Sequence, residues 1–419
     1  MNHNGAEAVT LRDVLNNREA RAAKQLELLR QYGMPLLCVT MNIAGPVKRS
    51  GLIDLAFQEA VRALRNRLGP AILHETLWDR ATGREAFLVC GLPAAELKQI
   101  AVGLENARPV GRLYDLDVIG TDGGKLSRPD PRTCLVCGGL AGPCARSRAH
   151  GLEAVQHAAN ALLRDFAADT LADLAVRTLV DEVELTPKPG LVDRNNSGAH
   201  RDMDLEMFRR SAQSLGPYFR QAVELGMACE ACMPQLQRAG LAAEQAMLAA
   251  TGGVNTHRGA VYAFGLTLAA LGSCLCRGGD VFRTAAALAE SGQPGDRQTH
   301  GGRAVELYGV PGARGEAMAG FPHARQACGV LEERGMFPAL LTLLAEVDDT
   351  NLLHRGGRSG LLFVQEQARE ILAGPEEAYP DQLEALDRVC IARNLSPGGC
   401  ADLLALGMLL DRTREIWDG

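Results

Sequence analysis

Side chains suited to chemistry are most concentrated between residues 184 and 204. Pro187, Pro189 and Gly190 interrupt any helix there and predict an irregular turn. The turn holds carboxylate, ammonium, amide and imidazole groups: Glu184, Lys188, Asp193, Asn195, Asn196, His200, Asp202 and Asp204. Loops that hold such groups in order usually bind a ligand, and here the ligand is expected to be charged.

Three further polar segments contain glycines in the same way, at residues 252–259, 312–316 and 348–357. Magnesium prefers oxygen ligands and takes one or two carboxylates beside phosphates and water. The acidic candidates for such a site are Asp202, Asp204, Asp349, Asp348 and Glu184. Phosphates need cationic groups and backbone N–H donors. The candidates for that role, each near a glycine, are Lys188, Arg258, Arg314 and Arg355.

A purely structural interpretation of these segments stays open. Asp202 and Asp204 fit a helix N-cap as well as a metal site, and Asn255 fits the cap of the helix that follows it. The recurrence of four glycine-flanked polar loops between helices favours binding, because helical domains gather such loops at one end or around one cleft. The sequence therefore predicts a magnesium–triphosphate site in this half of the chain.

Two acids in the first half, Asp115 and Asp117, lie two residues apart on a predicted strand. A period of two points both carboxylates to the same face of the sheet. Two carboxylates on one face repel each other unless a cation lies between them, so magnesium is the expected partner. The pattern resembles the metal-binding strand of nucleotidyltransferases. The other interpretation is that the two acids simply occupy alternate positions on the solvent-exposed face of a strand and bind no metal.

A compact set of metal-binding residue types follows: Cys134, Cys137, Cys144 and His150. This spacing is compatible with a Cys3His zinc site. The alternative is a group of partly buried thiols beside a phosphate-binding loop, in which Arg146 and Arg148 contact polyphosphate.

Hydrophobic periodicity divides the chain into two domains, residues 1–165 and 166–419. Strands and helices alternate in the first, which predicts an α/β domain with a nucleotidyltransferase-like mixed sheet flanked by helices. Its expected strands are 35–41, 70–75, 86–91 and 115–119, and its expected helices are 11–32, 52–68 and 93–106. The second domain is expected to be all-α. Its helices are predicted at 151–183, 205–227, 235–251, 258–276, 279–290, 322–334, 337–346, 358–372, 380–392 and 397–417. The segment 291–302 is expected to be a mobile surface loop.

Composition limits the functional classes. The net charge of −6 provides no general basic surface for nucleic acid. No apolar run reaches the length of a membrane span, and residues 1–10 lack the apolar core of a signal peptide. Twelve cysteines without a secretion signal favour a reducing compartment. We therefore expect a cytoplasmic enzyme that binds neither nucleic acid nor membrane.

The four polar segments of the second half resemble the motifs of triphosphoribosyl-dephospho-CoA synthases. That resemblance implies a reaction between ATP and 3′-dephospho-CoA that gives 2′-(5″-triphosphoribosyl)-3′-dephospho-CoA and adenine. It implies Mg²⁺ bound with ATP, with Asp202, Asp204 and Asp349 as ligands. It leaves three candidates for acid–base chemistry: Glu184, His200 and Glu316. It also implies a set of substrate contacts: Lys188, Asn255, His257, Arg258, Arg314, Asn351, His354 and Arg355.

The first half resembles citrate lyase holo-acyl-carrier-protein synthase, from Arg18 to His150. That family moves a phosphoribosyl-dephospho-CoA group onto a serine of the acyl carrier protein, the γ subunit of citrate lyase, and releases pyrophosphate. The resemblance implies that Asp115 and Asp117 bind magnesium and act in catalysis. It also implies a set of phosphate contacts: Arg18, Arg21, Lys48, Arg146 and Arg148.

Three rival functions stay open at this point. The same chemistry could serve malonate decarboxylase, which uses the same prosthetic group. The second half could be a magnesium-dependent glycohydrolase. The first half could be a zinc-stabilised module that only docks the carrier protein.

Overall fold

The computed structural model describes residues 8–229, 232–293 and 300–417, without the side chains at positions 300 and 301. The expectations for residues 1–10 and 291–302 fall outside these ranges at residues 1–7 and 294–299. The chain forms two compact units. The first comprises Met1–Ala167 and Leu275–Gly278, and the second comprises Ala168–Cys274 and Gly279–Gly419.

A four-stranded sheet forms the centre of the first unit, in the order β2-β3-β1-β4. Its strands are β1 (Leu36–Met41), β2 (Ile72–Arg80), β3 (Gly83–Cys90) and β4 (Tyr114–Ile119). Every neighbouring pair is antiparallel, so the prediction of a mixed sheet was wrong. The helical connections from β1 to β2 and from β3 to β4 each join parallel strands, but an antiparallel strand lies between the members of each pair. This is the split β-α-β-β-α-β arrangement.

Three helices pack against this sheet: α1 (Leu11–Tyr32), α2 (Gly51–Leu68) and α3 (Ala94–Ala107). The short helix α4 (Ala141–Ser147) follows β4 and has no buried residue. Thr10 and Asp13 form a capping box at the start of α1, and Gly33 ends that helix in the left-handed region with φ 62°. Leu28 of α1 packs with Leu36 and Phe87 of the sheet. This apolar layer fixes the sheet so that its partly exposed positions can carry polar groups.

All the regular secondary structure in the described residues of the second unit is helical. Helix α5 (Leu152–Glu184) continues from the first unit into the second. The helices after it are α6 (Leu205–Ser214), α7 (Gly216–Ala228), α8 (Met233–Ala250), α9 (Arg258–Arg277), α10 (Val281–Ser291), α11 (His300–Tyr308), α12 (Gly312–Met318), α13 (Pro322–Arg334), α14 (Met336–Glu346), α15 (Thr350–Leu372), α16 (Tyr379–Ala392), α17 (Gly398–Arg412) and α18 (Arg414–Trp417).

Two of the segments predicted as polar loops are helical, one along its whole length and one from its third residue onward. Residues 312–316 lie in α12, and the segment expected as a loop over 348–357 becomes helical at Thr350. Helix α15 bends at Gly357, whose φ of 60° leaves the helical region. Glycine tolerates that backbone geometry, so one element joins the predicted loop to the predicted helix.

Helix α9 is long and apolar enough to cross a membrane by length and composition alone, but 83% of its apolar window is buried inside the structure. A core helix of a globular unit passes the same test. Among the described residues no other helix meets it.

Candidate functional site

Two buried acids organise the loop between α5 and α6. Asp193, 3% exposed, accepts hydrogen bonds from the backbone N–H groups of Lys188 at 3.0 Å and Asn195 at 2.7 Å. Asp387 of α16 accepts from the Gly190 N–H and from the Asn196 side-chain amide, both at 2.8 Å. Buried carboxylates that accept several N–H groups hold a loop in one shape, so this segment is a fixed scaffold.

Gly190 explains why the loop needs glycine. Its φ is 69°, and a Cβ at this position would lie 2.1 Å from the carbonyl oxygen of Leu395. Any side chain would therefore push the loop away from the residues between α16 and α17.

Three of the four polar segments meet in a cluster of four buried residues and one partly exposed residue, which we call the inner cluster: Glu182, Lys188, His257, Asp349 and Asp402. Lys188 is 1% exposed, and its Nζ lies 2.6 Å from the Glu182 carboxylate. Its positive charge helps to lower the pKa of His257. Asp349 and Glu182 both raise the pKa of Asp402. The inner cluster therefore joins side chains from five places: the last turn of α5, the loop after it, the start of α9, the start of α15, and α17.

Asp349 forms the N-cap of α15. Its carboxylate accepts from the backbone N–H groups of Asn351 at 2.7 Å, Leu352 at 3.0 Å and Cys400 at 2.8 Å. Burial raises its pKa above the usual value. Both oxygens are thus engaged with the backbone, which makes Asp349 a less accessible magnesium ligand than the sequence suggested.

Asp402 is the partly exposed acid of the inner cluster. A Cβ on Gly259 would lie 1.9 Å from its Oδ2, so the carboxylate rests directly on the first turn of α9. Burial, followed by the carboxylates of Glu182 and Asp349, raises the pKa of Asp402 well above its usual range. Asp402 lies on an apolar helix and was not predicted from the sequence.

His257 is 3% exposed, and its Nδ1 lies 2.7 Å from the Ser211 hydroxyl. Its buried Nε2 has no hydrogen-bond partner among the described residues. Burial, with a smaller effect from Lys188, lowers its pKa to about 3. The ring is therefore neutral near pH 7, and any contact with substrate has to be a hydrogen bond rather than an ion pair.

A second group, the outer cluster, consists of His200, Asp202 and Arg355. Arg355 donates to the carbonyl oxygen of Ala199 at 2.9 Å and to His200 Nδ1 at 3.1 Å. A guanidinium only donates, so the proton of the neutral imidazole sits on Nε2 and is donated to the Ser396 hydroxyl at 2.9 Å. Burial and Arg355 lower the pKa of His200. Asp202 is exposed beside these two groups.

Of the other acidic candidates of the second unit, Asp348 is exposed, and Glu184, Asp204 and Glu316 have protein partners. Glu184 forms ion pairs with Arg194 and Arg209, and these lower its pKa. Asp204 caps α6 by accepting from the Met207 N–H at 2.7 Å, which is the N-cap role weighed for it in the sequence. Glu316 accepts from both the backbone and the ring of His323 at 2.8 Å.

The remaining candidate contacts lie at helix starts. Arg258 pairs with Glu244, while Asn255 accepts from the Arg258 backbone N–H at 3.2 Å. Arg314 of α12 donates to the Gly292 carbonyl at 2.9 Å. Asn351 and an exposed His354 lie in the first turns of α15.

In the first unit, Asp115 and Asp117 occupy the partly exposed positions of β4, whose other positions are buried. Both carboxylates therefore lie on one face, as their spacing predicts. Asp115 Oδ1 is 3.6 Å from a guanidinium nitrogen of Arg132, and Asp117 forms an ion pair with Lys125. Cations thus already neighbour both acids.

The predicted phosphate contacts of this unit differ in availability. Arg21 donates to the buried Glu85 at 2.8 Å through Nε, and Lys48 donates to the Ile43 carbonyl. Burial, with a smaller effect of Arg18, lowers the pKa of Lys48. Arg18, Arg146 and Arg148 are exposed. These last three are the ones that can reach a ligand without breaking an interaction inside the unit.

The cysteines and histidine singled out in the sequence form a Cys/His cluster: Cys134, Cys137, Cys144 and His150. One donor atom from each lies within 4.8 Å of all the others. The Cys137 and Cys144 sulfurs are 3.6 Å apart, against about 3.8 Å for two thiolates on a tetrahedral zinc with bonds of about 2.3 Å. The buried His150 Nε2 has no partner among the described residues. Backbone N–H groups of Cys137 and Val136 lower the pKa of Cys134 to about 6. These residues fit a zinc ion.

Comparison with known proteins assigns each region to a family. Residues 168–419 match the family model for ATP:dephospho-CoA triphosphoribosyl transferase, and residues 9–166 match that for apo-citrate lyase phosphoribosyl-dephospho-CoA transferase. Protein CitXG of Haemophilus influenzae is 37% identical over 95% of this chain and 95% of its own length. This chain belongs to the CitXG family. The resemblances noted in the sequence are therefore confirmed for both regions.

Other relatives divide in the same way. Protein CitXG of Leuconostoc mesenteroides subsp. cremoris is 31% identical over 97% of this chain and 98% of its own length. The 2-(5''-triphosphoribosyl)-3'-dephosphocoenzyme-A synthase of Pectobacterium atrosepticum is 43% identical, over 55% of this chain and 85% of its own length. As a CitXG family member, this chain is a transferase with two activities in tandem, one from each matched family.

Proposed function

We propose that residues 166–419 convert ATP and 3′-dephospho-CoA into 2′-(5″-triphosphoribosyl)-3′-dephospho-CoA and adenine. Residues 1–165 then transfer the phosphoribosyl-dephospho-CoA group to a serine of the citrate lyase acyl carrier protein and release pyrophosphate. The observation that supports this best is the meeting of three family motifs in the inner cluster. A cytoplasmic location agrees with the absence of a disulfide among the described cysteines.

In the first reaction the bond between adenine and ribose C1 breaks, its electron pair leaves with adenine, and the 2′-oxygen of dephospho-CoA bonds to C1. Positive charge develops on the ribose. We assign the triphosphate to the outer cluster, because Asp202 is exposed beside the cationic Arg355. Asp202 and Asp204 are the acids that would hold magnesium there, and the ion would neutralise phosphate charge.

The proton for the departing adenine has to come from an acid that is protonated before the reaction. The three sequence candidates are unsuited, because Glu184, Glu316 and His200 are each held by a partner. Asp402 lies at the edge of the inner cluster, where burial, followed by the carboxylates of Glu182 and Asp349, raises its pKa and favours its protonated form. We therefore assign Asp402 as the general acid, while the proton of the attacking 2′-hydroxyl is released to solvent.

In the second reaction the serine oxygen bonds to the innermost phosphorus of the triphosphate. The bond from that phosphorus to the bridging oxygen breaks, pyrophosphate leaves with the electron pair, and the serine proton is released. Asp115 and Asp117 are the acids that would hold magnesium, which neutralises charge on the transferred phosphate. Arg18, Arg146 and Arg148 remain available as contacts for the incoming molecule.

We further propose that the Cys/His cluster binds one zinc ion with a structural role, because all four protein ligands are present and close the coordination shell. Zinc analysis of the purified chain tests this. A zinc content near zero in protein purified without chelators would contradict it.

Product analysis tests the two reactions. With ATP, magnesium and dephospho-CoA, the chain should release adenine, and pyrophosphate should follow only after apo carrier protein is added. Adenine release without dephospho-CoA would indicate a glycohydrolase. Carrier binding without any pyrophosphate would indicate a docking module. Faster modification of the malonate decarboxylase carrier than of the citrate lyase carrier would indicate that malonate decarboxylase is the enzyme that receives the prosthetic group.

A further inference from the structure

Three arginines of the first unit that are not among its predicted phosphate contacts lie around Glu105: Arg112, Arg128 and Arg132. We call them the arginine triad. Arg132 lies 3.6 Å from Asp115 Oδ1 of β4. The triad therefore lies next to the position where the second reaction is proposed to occur.

Glu105 of α3 holds the triad in place. Its carboxylate is 2% exposed and accepts from the Leu116 backbone N–H at 3.1 Å, which ties it to β4 between Asp115 and Asp117. The same carboxylate accepts from Arg128 and Arg132. One buried acid thus fixes two guanidinium groups relative to the strand.

Charge inside the triad is not balanced. Arg128 and Arg132 share the buried Glu105, whereas Arg112 donates to the Thr133 carbonyl. With Asp115 beside Arg132, three cations face two carboxylates. Burial, followed by Arg132 and Arg128, lowers the pKa of Arg112. The buried Nε of Arg128 has no hydrogen-bond partner among the described residues, although its other nitrogens do. Partly buried cations that repel one another are stabilised by an anion.

We propose that the arginine triad binds pyrophosphate, the leaving group of the carrier-modifying reaction. Guanidinium groups form paired hydrogen bonds with phosphate oxygens, and a group with several negative charges matches the excess positive charge. The inference rests on the proposed function of the first unit. In addition to that function, it assigns the arginine triad as the site that binds the two outer phosphates of the triphosphate before the bond breaks and holds the released pyrophosphate afterwards.

The test uses the full chain with preformed precursor and apo carrier protein, so that the synthase reaction is not needed. Pyrophosphate is added as a product inhibitor of carrier modification. Arg112→Ala is the main variant, since Arg112 donates to a backbone carbonyl rather than to Glu105. Arg67→Ala, at an exposed position in the last turn of α2, is the matched control.

Loss of one charge-assisted contact should weaken pyrophosphate inhibition by about 10- to 100-fold and raise the KM for the precursor. Arg112→Lys should recover part of the loss, and orthophosphate should inhibit the wild type much less than pyrophosphate. Inhibition by pyrophosphate within twofold of wild type in a folded Arg112→Ala variant would overturn the triad assignment. A wild-type chain that never modifies the carrier would instead refute the proposed function itself.

Discussion

Replacement of Asp402 by Asn tests the acid assignment in the second unit. Asparagine keeps the size of the side chain and an oxygen that can accept from the Ala260 N–H, which bonds to Asp402. It cannot donate a proton to adenine as an acid does. Loss of a general acid costs about 10²- to 10⁴-fold in rate, or about 2.7 to 5.4 kcal/mol in the activation barrier.

The structure also predicts that this variant stays folded. Neighbouring acids and burial raise the pKa of Asp402 in the folded state above its unfolded value. For such a group, stability that is present below the unfolded pKa is lost as pH rises through the folded pKa. Asparagine does not titrate, so the variant does not lose stability in this way as pH rises. It should therefore be at least as stable as wild type near neutral pH.

The assay is the initial rate of adenine release with ATP, magnesium and saturating dephospho-CoA. Asp411→Asn is the matched control, because Asp411 lies on the same helix and is 40% exposed in a surface pair with Arg414. Its rate should equal that of wild type. An Asp402→Asn variant that is folded and releases adenine within threefold of the wild-type rate would refute the general-acid assignment.

Three further variants test neighbouring parts of the account. Gly259→Ala should release adenine at least about tenfold more slowly, because its Cβ would lie 1.9 Å from the carboxylate of Asp402. Gly329→Ala on α13, where a Cβ would meet no atom within 4 Å, is the control and should match wild type. Equal rates in the two variants would show that the contact between Gly259 and Asp402 does not matter for the reaction. The double variant Asp115→Asn with Asp117→Asn should still release adenine but leave the carrier unmodified, and modification at the wild-type rate would remove these acids from the mechanism. Cys144→Ser should lower both the zinc content and the melting temperature, whereas wild-type values of both would refute the zinc site.

Local patterns predicted much of the fold. The alternation of strands and helices before residue 150 and the long helices after it both reflect residue spacing within one element, which the sequence displays directly. Sheet order does not follow from such spacing. The two residues between β2 and β3 close a hairpin, which is a local feature. The position of β1 between β3 and β4 depends instead on contacts between residues far apart in the chain.

The candidate sites show the same limit. The Cys/His cluster is compact in sequence, so its spacing could suggest a site before any coordinates were known. Asp402 lies in an apolar helix far along the chain from Gly259, and only folding brings the two together. Lys188 was predicted as a phosphate contact, but its partner Glu182 lies on the preceding helix between two other acids, Asp181 and Glu184, and nothing in the sequence distinguishes it from them.

The mass of the carrier protein tests the central claim most directly. Apo carrier protein from citrate lyase would be incubated with the full chain, ATP, magnesium and 3′-dephospho-CoA, and its intact mass would be measured. We predict that its serine gains one phosphoribosyl-dephospho-CoA group, and that omission of ATP or dephospho-CoA prevents the gain. An unmodified carrier in the complete mixture, with a folded chain, would contradict the assignment of both reactions to this protein.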